Sequence, residues 1–132
     1  MGMKAALKLW LDQHGKAFGD GPYELLRRVE KTGSLHKAAA QMEMAYSKAW
    51  QLMRTIEKRL GFTILEREVG GRSGGGSRIT PRGKELMSCY AMFREEAQEA
   101  IIEIFQKRFR SFEEPGPREE RLKLNNKKTK SP

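Results

Sequence analysis

Ala5, Leu7, Leu9 and Leu11 alternate with Lys8, Trp10 and Asp12. A period of two predicts a strand with one buried face. Trp10 then falls on the opposite face and needs cover. Asp20-Gly21-Pro22 breaks the strand and opens a helix, with Pro22 near its first turn. Pro22, Leu25, Leu26 and Val29 recur at i, i+3, i+4 and i+7, predicting a helix over residues 22–32 that Gly33 stops. Ser34 is placed to cap a second, short helix whose inner positions are Leu35, Ala38, Ala39 and Met42. Glu43-Met44-Ala45 makes the turn. A third helix runs from Tyr46 to Leu60 and ends at Gly61. Its inner stripe is Ala49, Leu52, Met53, Ile56 and Leu60. Its outer stripe is Ser47, Gln51, Arg54 and Lys58, with Tyr46 and Trp50 along one edge.

Residues 62–67 read as a strand, residues 70–77 as a flexible Gly-rich loop, and Arg78-Ile79-Thr80 as a short return strand, together a hairpin. Thr80-Pro81 is a helix start, Thr as N-cap and Pro at the first position. That helix reaches about Phe109. Leu86, Tyr90, Phe93, Ala97, Ala100 and Ile104 are spaced in steps of four and three, a heptad seam suited to a dimer. Pro115, Pro117 and clustered charge follow, the composition of a disordered tail.

These elements make a mainly α fold with a small β-sheet: a winged helix-turn-helix with a long C-terminal dimerisation helix. The expected division is a winged domain over residues 1–80, a linker and dimerisation helix over 81–109, and a basic tail over 110–132. The 132 residues carry 26 Lys and Arg against 17 Asp and Glu, a net charge of +9. Residues 110–132 hold +3 of it, so most of the excess lies on the folded part. Such a balance favours nucleic acid first and an anionic membrane second. The lone Cys89 cannot form an internal disulfide. No apolar run nears the ~20 residues that span a bilayer. Charge interrupts Leu7-Lys8-Leu9-Trp10-Leu11-Asp12, which argues against a signal peptide. A cytoplasmic protein is expected, with no membrane partner.

The informative unit is residues 22–80, three short helices and a hairpin. A short capped helix, a tight turn and a helix with a basic outer face follow helix-turn-helix order, and a single helix fits the major groove. Arg54 can fork onto guanine, and Gln51 can pair with adenine. Tyr46 and Ser47 can reach base edges or phosphate from the helix N-terminus. Ser34 and His36, with Lys37, lie at the start of the second helix, where free N–H groups favour phosphate. Lys48 joins the same outer face. Taken alone, Ser47, Gln51 and Arg54 are what any solvated face shows; the preceding helix, the hairpin and the net charge turn the reading toward DNA. Trp50 suits boundary packing as readily as contact. Arg72 and Arg78 flank the Gly-rich loop, which reads either as a wing reaching phosphates or the minor groove, or as a bland hairpin tip. It fails the P-loop pattern, because Ser77-Arg78 follows Gly76 where Lys-Ser/Thr is required.

His14, His36 and Cys89 follow no metal-ligand spacing. No Ser/His/Asp set or paired carboxylate presents itself, and Glu95, Glu96, Glu99 and Glu103 read as a solvated strip. The expectation is no enzyme, no metal and no cofactor.

Gly33-Ser34-Leu35-His36-Lys37-Ala38-Ala39 resembles the GS-x-x-x-AA helix of LysR-type regulators, and residues 60–67 their LG-x-x-LF-x-R strand. Ile79-Thr80-Pro81-Arg82-Gly83 resembles their LT-x-x-G linker start. Ala45-Tyr46-Ser47-Lys48-Ala49-Trp50 is similar to the SY-x-x-AW recognition helix of ModE-like molybdate-responsive regulators, and residues 70–76 to their GG-x-x-GGG wing. Ala45 stands where that family usually has Ser. The resemblance covers about residues 5–109. It implies a transcriptional regulator binding a pseudo-palindromic operator in double-stranded DNA as a homodimer, through the first strand and the helix 81–109. It places Ser34, Ala45, Tyr46, Ser47, Trp50, Gln51 and Arg54 in the DNA-facing motif and Arg72 in the wing. The family's molybdate-binding domains have no counterpart here, so the expectation is a domain standing alone without a molybdate site. The competing reading is a winged-helix protein-interaction module whose basic tail binds nucleic acid nonspecifically.

Overall fold

The computed structural model describes residues 2–68 and 76–112. Its elements are β1 (Trp10–Asp12), β2 (Lys16–Gly19), α1 (Asp20–Thr32), α2 (Leu35–Gln41), α3 (Tyr46–Leu60), β3 (Leu65–Glu68), β4 (Gly76–Ile79) and α4 (Pro81–Arg108), then a 3₁₀ turn at Arg110–Phe112. This is the mainly α, winged helix-turn-helix layout with a long C-terminal helix. Lys8–Arg94 form one compact unit; residues 2–7 and 95–112 fall in a second.

Helix limits in the first unit follow local chemistry. Gly33 and Gly61 end α1 and α3 in the left-handed region, φ 75° and 88°, where a Cβ would be strained. The Ser34 hydroxyl accepts the Lys37 N–H at 3.0 Å and so caps α2. Thr80 caps α4 in the same way: its hydroxyl accepts the Gly83 N–H at 2.9 Å and donates to the Thr63 carbonyl at 2.7 Å.

Apolar faces of all four helices meet in one core. Leu25, Leu26 and Val29 come from α1, Leu35, Ala38 and Ala39 from α2, and Ala49, Met53 and Ile56 from α3. Phe18, Leu65 and Ile79 close it from the strands, Ile64 from the segment before β3, and Met87 and Tyr90 from α4. The wing is β3 paired antiparallel with β4, Leu65 opposite Ile79 and Glu66 opposite Arg78. It is fastened to the start of α2. The Ser77 N–H donates to the Gly33 carbonyl at 2.9 Å, and the Ser77 hydroxyl accepts the Leu35 N–H at 3.2 Å. A Cβ on Gly76 would sit 2.5 Å from that same carbonyl, so this close approach admits only glycine.

Several sequence expectations change. The first strand is short: only Trp10–Asp12 pair, with β2, a strand the pattern did not announce because Lys16-Ala17-Phe18-Gly19 is too brief to show a period. The alternation itself is real, since Ala5, Leu7, Leu9 and Leu11 are half-buried and Lys8, Trp10 and Asp12 exposed. Lys16 supplies part of the cover for Trp10, its Nζ 4.7 Å from the ring centroid. Residues 62–64 are not strand, because the Glu57 carboxylate, from α3, takes the Ile64 and Leu65 N–H groups at 2.7 and 2.9 Å. Gly76 and Ser77, expected in the loop, belong to β4.

The heptad seam is also interrupted. Tyr90 is 1% exposed inside the first unit. Its ring meets Phe18 edge-on at 5.3 Å, and its single hydroxyl proton is shared between two acceptors within hydrogen-bond distance, the Leu9 carbonyl and Asp20 Oδ1. Burial first, then the Asp20 carboxylate, push the Tyr90 phenol above its ordinary value. Arg94 donates to Asp20 at 2.7 Å and holds that carboxyl below its ordinary value. In the second unit, α4 continues to Arg108, and Phe109 and Phe112 extend its aromatic row from Phe105 at 4.9 and 6.0 Å. Residues 110–112, expected in the tail, are therefore a 3₁₀ turn. The rest of the proposed tail and most of the Gly-rich loop lie outside the described residues.

Candidate nucleic-acid interface

α2 and α3 are joined by a tight turn at residues 42–45. Glu43 takes φ 55°, and the Met44 N–H closes back onto the Ala39 carbonyl at 2.9 Å. That reversal, with Ala38, Ala39 and Ala49 fully buried, brings the two helices together through small side chains. α3 therefore shows its opposite ridge to solvent. Ser47, Lys48, Gln51, Arg54 and Lys58 are all exposed there, while Met53 and Ile56 are buried behind them.

At the N-terminal end, Ala45 is the exposed N-cap of α3 and offers no side-chain hydrogen bond. His36, from α2, lies 5.2 Å from the Tyr46 ring, and Tyr46 stacks nearly parallel on Trp50 at 6.5 Å. Trp50 is half-buried, packed against the core yet open on one side. The Arg54 guanidinium lies 4.1 Å from its ring centroid and also pairs with Glu57. Histidine from α2, then tyrosine, tryptophan and arginine from one edge of α3, thus form a continuous row. Such stacked side chains lose little further freedom on meeting a ligand.

The other expected residues divide. Ser34 is half-buried and its hydroxyl is engaged in the α2 cap. Lys37 is exposed on the first turn of α2. Arg78, on β4, is exposed and paired with Glu66 at 2.9 Å, which raises its already high basicity. Arg72 lies outside the described residues.

Sequence reasoning missed two residues. Glu57 is 8% exposed, and its carboxylate ties α3 to the start of β3. The signal was present: Ala49, Met53 and Glu57 are four apart, which puts a carboxylate on the inner row. Arg67 of β3 donates to the Tyr46 hydroxyl at 3.3 Å, and its guanidinium lies 5.1 Å from the Trp50 centroid. Strand alternation places it on the side of buried Leu65. Among the described residues no three His, Cys, Asp or Glu side chains gather to hold a metal, and no helix is long and apolar enough to cross a membrane.

Comparison with known proteins fits this geometry. Residues 23–84 match the model of the bacterial regulatory helix-turn-helix proteins of the lysR family. The chain is 31% identical over 87 residues to the molybdenum transport protein ModE of Azotobacter vinelandii, covering 66% of this chain and 32% of that one. It is 32% identical over 82 residues to the transcriptional regulator ModE of Haemophilus influenzae, covering 62% of this chain and 32% of that one. It is 28% identical over 100 residues to the DNA-binding transcriptional dual regulator ModE of Escherichia coli K12, covering 75% of this chain and 38% of that one. The chain thus spans about a third of the length of these relatives. Family match, capped α2, tight turn, exposed α3 ridge and hairpin coincide on the same residues: positions 23–84 are similar to the regulatory helix-turn-helix of the lysR family.

Proposed function

We propose that this chain is a sequence-specific DNA-binding transcriptional regulator that binds a pseudo-palindromic operator as a homodimer. The supporting observation is the solvent-facing ridge of α3, with Ser47, Gln51 and Arg54 exposed while the opposite face is locked into the core. A helix held this way presents side chains to the major groove without ordering itself at the moment of binding. Gln51 has the geometry for an adenine edge, and the Arg54 fork that of a guanine edge, each worth about 1–3 kcal/mol of discrimination. Tyr46, Ser47 and the Ala45 methyl sit at the end of the helix that enters first. His36, Lys37 and Lys48 supply phosphate contacts beside it, with Ser34 fixing the start of α2. Trp50 is the platform on which that edge is built. Arg78, and Arg72 in the proposed wing, serve the flanking backbone.

The dimer reading rests on α4. Phe93 and Ile104 of the predicted seam are 49% and 56% exposed, and Ile102 is 40% exposed. Two copies joined there address two half-sites related by a twofold axis. The molybdenum in the relatives' names is not carried over, since the shared residues are those of the helix-turn-helix end.

The test is selection of the purified chain on a random duplex library at moderate salt, followed by sequencing. An enriched inverted repeat is expected. Binding without enrichment, vanishing at high salt, would contradict the proposal and favour a protein-interaction module with nonspecific nucleic-acid binding.

A further inference from the structure

Four guanidiniums lie on α3 and the described wing strands, and they are held differently; Arg59, at the far end of α3, donates to the Lys16 carbonyl. Arg54 is paired with Glu57, and Arg78 with Glu66. Arg67 is exposed and has no carboxylate partner among the described residues. It is held by neutral groups, the Tyr46 hydroxyl at 3.3 Å and the Trp50 ring at 5.1 Å. A carboxylate would neutralise the charge and have to be displaced by an incoming anion. A phenol and an indole orient the guanidinium and leave its charge intact. The fork has five N–H donors, and the tyrosine accepts from one of its nitrogens, so most of the donors remain for a ligand.

We infer that Arg67 contacts a backbone phosphate of DNA at the edge of the groove that α3 occupies. This rests on the DNA-binding reading above. Phosphate is the matching chemistry because Arg67 approaches from β3, beside Trp50, and not from the Ser47–Gln51–Arg54 ridge that faces base edges. A planar fork meets two phosphate oxygens at once. Tyr46 and Trp50 act here as positioning residues, aiming a charge that belongs to the wing strand toward the backbone next to the recognition helix.

The experiment measures affinity of the full chain for its selected operator across a salt series, for wild type, Arg67→Ala and Arg67→Lys. Arg67→Ala is expected to weaken binding about tenfold on the operator and on unrelated duplex alike, and to lower the salt slope by about one unit. Arg67→Lys keeps the slope and loses part of the affinity. A thermal melt of each variant stays at the wild-type value, since the side chain is exposed. Neutral methylphosphonates placed one at a time along the operator provide the second readout. One linkage per half-site weakens wild type and leaves Arg67→Ala unaffected. An unchanged slope and affinity in Arg67→Ala would overturn the assignment. So would a loss confined to one base pair, which is base reading, or methylphosphonate effects identical in both proteins. If wild type selects no duplex at all, the DNA reading fails and Arg67 with it; if wild type selects a repeat and Arg67→Ala is unchanged, only the Arg67 assignment fails.

Discussion

On α3, Ala49, Met53 and Ile56 are buried against the rest of the Lys8–Arg94 unit, and the outer ridge is polar. On α4, burial of this kind stops at Tyr90; beyond it Phe93, Ile102, Ile104 and Phe109 are 40–60% exposed. The same helical periodicity thus has two outcomes. α3 finds its apolar partner within the chain and leaves a polar surface for a polyanion. The later part of α4 keeps apolar surface open, which is what an interface with a second copy requires.

The largest expected effect separates the two helices by stability. Met53→Ala should cost about 2–5 kcal/mol in urea unfolding, the range for emptying a buried Met-sized site. Ile104→Ala should change unfolding of the monomer by less than about 0.5 kcal/mol. In sedimentation it should weaken self-association about tenfold or more, since two copies of the side chain leave the interface. Equal losses of stability in both variants would erase the distinction. A monomeric wild type would remove the dimer.

A smaller effect is expected at the α2 cap. Ser34→Ala deletes the acceptor of the Lys37 N–H and should lower stability by about 1 kcal/mol, measured by thermal melting. DNA affinity should fall little, because the hydroxyl is already engaged; a large loss of affinity at full stability would make Ser34 a direct contact.

The smallest effect is a pH dependence at the Tyr90–Asp20–Arg94 cluster. Arg94 chiefly, and Tyr90 after it, hold Asp20 below its ordinary value of 3.8. Its contribution to stability is therefore present above that value and is lost as pH falls through the lowered one. The carboxylate is partly exposed, so screening keeps the effect small. Asp20→Asn should flatten the acid limb of stability below about pH 4; an unaltered limb would mean that the cluster does not anchor α4.

Much of this was legible from the chain. Gly33, Ser34, Gly61 and Thr80 mark helix ends by backbone chemistry that is local, and local chemistry is readable. The α3 ridge was legible because its stripe repeats over four turns. Tyr90 was read as seam because spacing cannot say which partner a side chain meets; only the fold shows that Phe18 and Asp20 claim it. Glu57 and Arg67 escaped for the same reason, since their partners, the β3 backbone and the Tyr46–Trp50 edge, are tertiary.

The most direct test of the central reading, that the α3 ridge of each copy faces base edges, is to repeat the library selection with Gln51→Ala. The expected result is loss of preference at one position, mirrored in both half-sites, with the rest of the repeat retained. An unchanged consensus, or a uniform loss of affinity for every sequence, would contradict it.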